Sequence, residues 1–460
     1  VVFFALKKRM NRTALVFLSL LMVVLFLIPS EVTAQRRRRA SAKRPVSAMV
    51  SDSKLFNQGH SGFLLFDPQT QKMLQQRNAD KYFTPASNTK IFTLRTALHF
   101  LGDSLPVLRY LDMGDTLVFW GTGNPLFLHP DLPGDSSVLA FLRSRPETLF
   151  FTDYNFRDDH FGPGWSWADY SDYYQPERSP MPIYGNVVRF RSGGPDTGFT
   201  VSPALWRDSL FFGPQLEEER GAVIRRTERG NRFEFNSEAR RRTGFTEDIP
   251  FNYSPQLMVK LLSDTLRRTV RLFDASMLPA GSVNTLFMPA SDTLYQRLMQ
   301  QSDNFIAEQL LLMCSEQLFN TQSSRKMIDY AKEQCFKDVP DRMEWWDGSG
   351  LSRYNFFTPR TVVHVLHQLY QQQPKERLFR IFPAGGVSGT ISGWYAGPKG
   401  EPFVFAKTGS LRYVHSLSGY VKTKKGKVLI FSFMHNNFTG SSDPLKKEMQ
   451  DILKRVYEVY

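Results

Sequence analysis

The chain has 460 residues, 42% of them hydrophobic, with 58 Lys and Arg against 44 Asp and Glu for a formal net charge of +14. That length suggests two or three domains, and the apolar share is ample for sizeable cores, which excludes a disordered or low-complexity chain. Two cysteines exclude a disulfide scaffold. The basic balance, part of it in an N-terminal tail, favours anionic envelope polymers and weak association with a membrane surface over nucleic acid.

The first predicted element is an export signal. Met10-Asn-Arg12 is a basic start, residues 14–29 are an apolar run, and Val32-Thr-Ala34 is a small-residue cleavage site, so residues 1–34 read as a signal peptide. The run is short for a membrane span. Gln35, not Cys, follows the cut, which argues against a lipid anchor. Residues 35–50, with Arg36 to Arg39, read as a basic, solvated linker. The mature protein is then expected in the periplasm.

Gly62-Phe-Leu-Leu-Phe and Met73-Leu-Gln-Gln form an opening hairpin. The segment Phe83-Thr-Pro-Ala-Ser-Asn-Thr-Lys90 starts a helix, with Thr84 as N-cap and Pro85 at the first helical position. Ile91, Leu94, Leu98 and Leu101 recur at helical spacing, and Gly102 ends the element. Ser87 and Lys90 then share a face at the positive end of the helix, where an amine can reach a hydroxyl. Two other Ser-x-x-Lys matches, Ser51–Lys54 and Ser323–Lys326, lack such surroundings. About one or two matches are expected by chance in a chain this long.

Asp115-Thr-Leu-Val-Phe-Trp and Asn186-Val-Val-Arg-Phe-Arg read as strands. Between them lie Trp165, Trp167, Tyr170, Tyr173 and Tyr174, read as interdomain core in preference to a sugar-stacking platform. Asp158-Asp-His160 reads as a polar loop.

Ser302-Asp-Asn304 is better placed than the decoy Ser282-Val-Asn284, because Ser302 can cap a helix carrying Ile306, Leu310 and Met313. A second helix through Met327, Tyr330 and Ala331 follows a turn near residues 320–322. Cys314 and Cys335 then lie offset by roughly 10 Å along an antiparallel pair, so free thiols are expected. His364 and His367, at i and i+3 without a His-Glu-x-x-His pattern, do not read as zinc ligands. Phe403-Val-Phe-Ala-Lys-Thr-Gly-Ser-Leu reads as a strand, followed by strands at 416–423 and 427–435 and a helix at 448–457.

Ser87-x-x-Lys90, Ser302-Asp-Asn304 and Lys407-Thr-Gly409 thus occur in one order, the motif set of serine acyl-enzymes such as penicillin-binding proteins and β-lactamases. With Asp347-Gly-Ser-Gly-Leu-Ser-Arg-Tyr-Asn and Gly162-Pro-Gly-Trp-Ser-Trp, they make the chain resemble the serine D-alanyl-D-alanine carboxypeptidase/endopeptidase family, the class C penicillin-binding proteins of the PBP4 type, peptidase S13. The resemblance runs from about residue 50 to the end and is thinnest at about 205–250.

It implies that Ser87 attacks the carbonyl between two D-alanines, with Lys90 as base. Lys90 needs a pKa depressed by burial and by a second cation, Lys407. Ser302 relays the proton to the leaving amine, and Asn304 meets both a lysine and the substrate amide. The backbone N–H groups of Ser87 and Ser410 form the oxyanion hole. Thr408 and Gly409 line the substrate strand, and Asp153 meets the side chain of a diamino acid. Neither metal nor cofactor is called for.

From Lys90 to Ser302 there are 211 intervening residues, more than a compact acyl-enzyme domain needs. The resemblance implies an α+β fold: a β-lactamase/transpeptidase-like domain, an antiparallel sheet flanked by helices, split into 51–102 and 285–460. Residues 103–284 are a large β-rich insertion of one or two subdomains. The expected partners are peptidoglycan peptides, with β-lactams as inhibitors. A serine β-lactamase and a catalytically silent peptidoglycan-binding envelope protein are the competing readings. No Glu-x-x-Leu-Asn stretch occurs to support the β-lactamase.

Overall fold

The computed structural model describes residues 44–132, 137–279 and 282–460. The signal sequence and residues 35–43 of the linker lie outside them. The chain divides into two units, one ending at Ser53 and one spanning Lys54–Tyr460. In the first unit the expected solvated linker is corrected at its end: Val46–Ser51 is a helix behind Pro45. Val46 and Val50 sit one helical turn apart, an apolar pair masked in the sequence by the neighbouring basic run. Among the described residues no helix is long and apolar enough to cross a membrane.

The second unit is built around a five-stranded antiparallel sheet. Its order is Val404–Leu411, Val414–Lys422, Val428–Asn436, His60–Asp67, Lys72–Arg77, so the opening hairpin adds directly to the closing meander. Ser61 pairs with His435 and Lys407 with Ser418. The central strand Val428–Asn436 is buried along almost its whole length because both faces are covered. Ile430 and Met434 join the core shared with the helices Lys90–Phe100, Asn304–Phe319 and Pro359–Gln372. The alternate residue Phe433 faces the other way, stacked 4.2 Å from Phe63 and 6.2 Å from Phe56. The closing helix is longer than expected, Asp443–Val459, and buries Leu445, Met449, Ile452, Leu453 and Val456.

Two helices carry the motifs, and both run through the interior. Lys90–Phe100 is buried from Lys90 to Ala97, and Asn304–Phe319 from Phe305 to Glu316. Both are enclosed on every side, so polar residues such as Lys90, Glu308 and Gln309 are buried along with the apolar ones. Phe92 stacks on Phe357 at 4.2 Å, with Trp345 at 6.0 Å. Each such aromatic contributes about 1.5–3 kcal/mol through burial, which anchors the helix that begins at Lys90.

The insertion has its own core, including Phe119, Phe151, Ile183, Phe190, Phe233 and Leu261. It holds a five-stranded mixed sheet and two three-stranded sheets. Its upper boundary differs from the expected one. Asn284–Pro289 is a strand of the insertion, paired antiparallel to Ser104–Met113 with Leu286 opposite Leu108. The insertion therefore closes at Pro289, and the main domain resumes with the helix Asp292–Gln296. Strand pairing 176 residues apart in sequence, as at Arg109 and Thr285, has no local signature.

Candidate active site

Ser87 lies in a 3₁₀ turn, Ala86–Thr89, that runs straight into the helix starting at Lys90. The expected cap is corrected: Pro85, already helical, precedes the turn, and neither it nor Thr84 caps it with a side chain. The tighter turn suits the motif, because residues three apart eclipse in a 3₁₀ helix. Lys90 Nζ stands 3.0 Å from Ser87 Oγ.

The turn is held in a costly shape. Ala86 has φ 48°, a left-handed value rare for a side-chain-bearing residue. Its carbonyl accepts from Thr89 Oγ1 at 2.9 Å. Gly350, at φ +87°, lies so near that a Cβ there would overlap Ala86 O and come 3.0 Å from Ser87 N. Gly350→Ala is therefore expected to displace Ser87. It should lower penicillin acylation at least tenfold and stability by about 1–3 kcal/mol, checked by adduct kinetics and urea melts. Unchanged acylation would show that the turn tolerates the shift. Gly409 makes a similar approach: a Cβ would sit 2.5 Å from Pro85 O. Its strand keeps regular register there, Gly409 opposite Ser416, so this glycine marks no bulge.

Lys90 is fully buried, and its ammonium has three acceptors: Ser87 Oγ, Asn304 Oδ1 at 2.5 Å and Ser349 O at 2.6 Å. The Ser349 carbonyl was not foreseen as a partner. Asp347 shapes its loop, accepting from Gly350 N at 2.9 Å, Ser352 N at 2.7 Å and Asn355 Nδ2 at 2.7 Å. Glu308 Oε1 accepts from Ser349 N at 2.7 Å. The Asp-Gly-Ser-Gly turn chemistry was the available signal for this support.

Ser302 is not the helix cap. Asp303 is, its carboxylate accepting from Ile306 N at 3.0 Å, while Ser302 takes a left-handed conformation at φ 59°. A carboxylate suits the positive helix end better than a hydroxyl does. The Ser302 hydroxyl is thereby left to accept from Lys407 Nζ at 2.7 Å. Lys407 also donates to Thr408 O at 2.7 Å. Asn304 Nδ2 donates to Tyr174 O at 2.8 Å, which fixes its amide with the oxygen toward Lys90.

Burial pushes Lys90 down from 10.5 to about 8, against the opposing pull of Asp347, Glu308 and Asp303. Lys407 is lowered well below its ordinary value, first by burial and then by Lys90. The expected direction of influence is thus corrected: burial does most of the work on Lys90, and Lys407 carries the repulsion between the two cations. Burial and Asp347 raise Glu308 to about 7.

These groups open onto a cleft of about 1050 Å³. Ser87, Ser302, Asn304, Thr408 and Ser410 line it, with Asp169, Tyr173, Tyr174 and Arg353 among the residues around them. Thr408 Oγ1 is 2.7 Å from Thr390 Oγ1, and Ser410 Oγ 3.0 Å from His415 Nδ1. Asp153 is not part of the cleft wall; its carboxylate accepts from Tyr253 Oη at 3.4 Å. Trp167 and Tyr173 are 74% and 64% exposed, which corrects their reading as interdomain core. Ser323, from the decoy motif, caps the helix Ser324–Gln334. Cys314 and Cys335 are buried free thiols. Among the described residues, no group of three His, Cys, Asp or Glu could hold a metal.

Residues 42–206 and 269–456 match the D-Ala-D-Ala carboxypeptidase 3 (S13) family. A D-alanyl-D-alanine carboxypeptidase from an Actinomadura species is 25% identical over 96% of this chain and 89% of its own length. The carboxypeptidase DacB of Haemophilus influenzae is 33% identical, over 35% of each chain. The crystal structure of penicillin binding protein 4 from H. influenzae superposes with a TM-score of 0.72 at 21% identity, covering 90% of this chain and all of that one.

Proposed function

The chain belongs to the D-Ala-D-Ala carboxypeptidase 3 (S13) family and is a serine DD-peptidase, and from that premise we propose that Ser87 is its nucleophile and Lys90 its base. The observation that carries the assignment is the set of three acceptors around Lys90 Nζ. A neutral amine has two N–H bonds and one lone pair. Asn304 Oδ1 and Ser349 O take the two N–H bonds, so the lone pair faces the Ser87 hydroxyl. A pKa of about 8 leaves a useful neutral fraction at physiological pH.

Ser87 Oγ adds to the carbonyl of the penultimate D-alanine while its proton passes to Lys90. The oxyanion is met by the N–H groups of Ser87 and Ser410; losing one such donor costs about 10²–10³ in turnover. As the C–N bond breaks, Ser302 relays a proton to the departing amine and is reprotonated by Lys407, the deficit being made good by the proton Lys90 took from Ser87. Water then adds to the ester, and one of its protons goes to Ser87 Oγ as the acid leaves. Asn304 keeps one N–H for the substrate amide, and Thr408 and Gly409 flank the peptide. Asp169 in the cleft wall, with Arg353, replaces Asp153 as the partner of a diamino acid, offering one charge of each sign. Export by residues 1–34 would deliver the enzyme to the periplasm, where peptidoglycan peptides are its substrates.

β-Lactams are expected to acylate Ser87. A penicillin binding protein 4 structure carries a bound β-lactam, and a Dictyostelium relative 24% identical over 77% of this chain is named a penicillin-sensitive carboxypeptidase. The test is intact mass after brief exposure to penicillin, with the spent drug assayed. A stable one-to-one adduct supports the DD-peptidase; hydrolysed drug points to a β-lactamase. Intact drug and no adduct would mean a silent site.

A further inference from the structure

The family match stops at 206 and resumes at 269. Residues between those limits nevertheless reach the cleft. Arg226, on the strand Ile224–Arg226, is only 2% exposed and is locked onto residues 170 and 171. Its backbone N–H donates to Ser171 Oγ at 2.8 Å, and its carbonyl accepts from Tyr170 Oη at 3.1 Å. Its Nη2 donates to Tyr170 O at 3.3 Å, and its Cζ lies 5.0 Å from the Tyr170 ring centroid. The rest of the guanidinium is pinned within the unmatched segment, to the carbonyls of Pro250 at 2.9 Å and Gly230 at 3.0 Å among others.

Residues 170 and 171 belong to a lip, residues 162–175, whose only regular structure is one 3₁₀ turn, Trp167–Asp169. A segment this irregular takes its shape from side-chain ties. The same lip puts Tyr173 and Tyr174 into the cleft wall, and Tyr174 O accepts from Asn304. Arg226 thus holds two residues that stand between Asp169 and Tyr173, both in the cleft wall.

We infer that Arg226, and through it the segment 207–268, is a specificity-determining brace that fixes the lip for extended peptidoglycan peptides. This rests on the DD-peptidase reading. A cross-linked peptide extends beyond the leaving amino acid and must lie against the lip. A small β-lactam needs only the nucleophile with its Lys90 base, the oxyanion donors and the Lys407 strand. A loosened lip must be ordered at the substrate's expense, which raises KM for the long substrate; acylation by the small one changes far less, because Asn304 keeps its bond to Lys90 when the Tyr174 carbonyl shifts.

The experiment compares wild type, Arg226→Lys and Tyr170→Phe. Its readouts are D-alanine release from a disaccharide pentapeptide, cleavage of a cross-linked dimer, and the second-order rate of penicillin acylation. Lysine keeps the charge but not the fork; Tyr170→Phe removes a single hydroxyl and guards against a folding failure. The expected result is a loss of about tenfold in kcat/KM on the peptides for Arg226→Lys, mostly in KM, and about threefold for Tyr170→Phe, with penicillin acylation within about twofold of wild type. Peptide and penicillin rates falling together, or neither changing, would overturn the brace. A wild type that forms no adduct and releases no D-alanine would instead overturn the DD-peptidase reading.

Discussion

Ser87→Ala is expected to form no penicillin adduct and to lose D-alanine release by on the order of 10⁶-fold, the scale seen when a serine acyl-enzyme loses its nucleophile. The reason is chemical. Ser302 also meets a buried amine, Lys407 at 2.7 Å, but among the described residues Ser87 is the hydroxyl paired with Lys90. The oxyanion donors are backbone N–H groups and survive the substitution, so any residual turnover measures them and substrate binding alone. The fold should survive, because Ser87 Oγ lies at the cleft surface and the Lys90 ammonium, which loses one acceptor, keeps Asn304 Oδ1 and Ser349 O. Intact mass and a thermal melt check both parts. An adduct on Ser87→Ala would put the nucleophile elsewhere. Lys54→Ala and Lys326→Ala serve as controls and should acylate normally; the Lys326 ammonium lies over the Phe319 ring at 4.2 Å, away from the cleft.

The second large effect concerns Lys90. Lys90→Met should slow acylation by about 10²–10⁴-fold, the usual contribution of a positioned general base. In the wild type the acylation rate should climb with pH and level off above about 8, where Lys90 has lost its proton. The sign follows from burial: the folded site holds the amine's proton less tightly than its ordinary 10.5 implies, so the neutral base gains population as pH rises through about 8. Lys90→Met should lose that rise. A wild-type rate flat between pH 6 and 9, or one that falls as pH rises, would rule out Lys90 as the base. Asn304→Asp provides an independent probe. A carboxylate 2.5 Å from Nζ would stabilise the ammonium and move the rise to higher pH.

Much of the scaffold could be read from local pattern. Ile91, Leu94 and Leu98 announced the nucleophile helix, and the aromatic and β-branched run at Phe403 announced its strand, because helical and strand periodicities are properties of a dozen neighbouring residues. The details that failed involved competition between neighbours or distant pairing. Thr84 and Ser302 are good caps in isolation. Pro85 adopts helical geometry itself, and Asp303 offers the stronger acceptor one residue on. Residues 285–289 looked like the start of the main domain until Ser104–Met113 claimed them as a strand partner.

The amino-acid sequence by itself determined which side chains exist at which spacing: Ser87 with Lys90, Ser302 with Asn304, Lys407 beside a glycine small enough to approach the Pro85 carbonyl. Three-residue spacing is a local matter, and a helical or 3₁₀ turn must bring such a pair together. The tertiary structure decided what surrounds them. Ser349 O and Asn304 Oδ1 reach Lys90 across 259 and 214 residues of chain. It also put Asp169 in the cleft wall, left Asp153 out of it, and used Arg226 to hold the lip. Such contacts depend on how separate hydrophobic cores settle against one another, and burial is non-directional until the whole chain has packed.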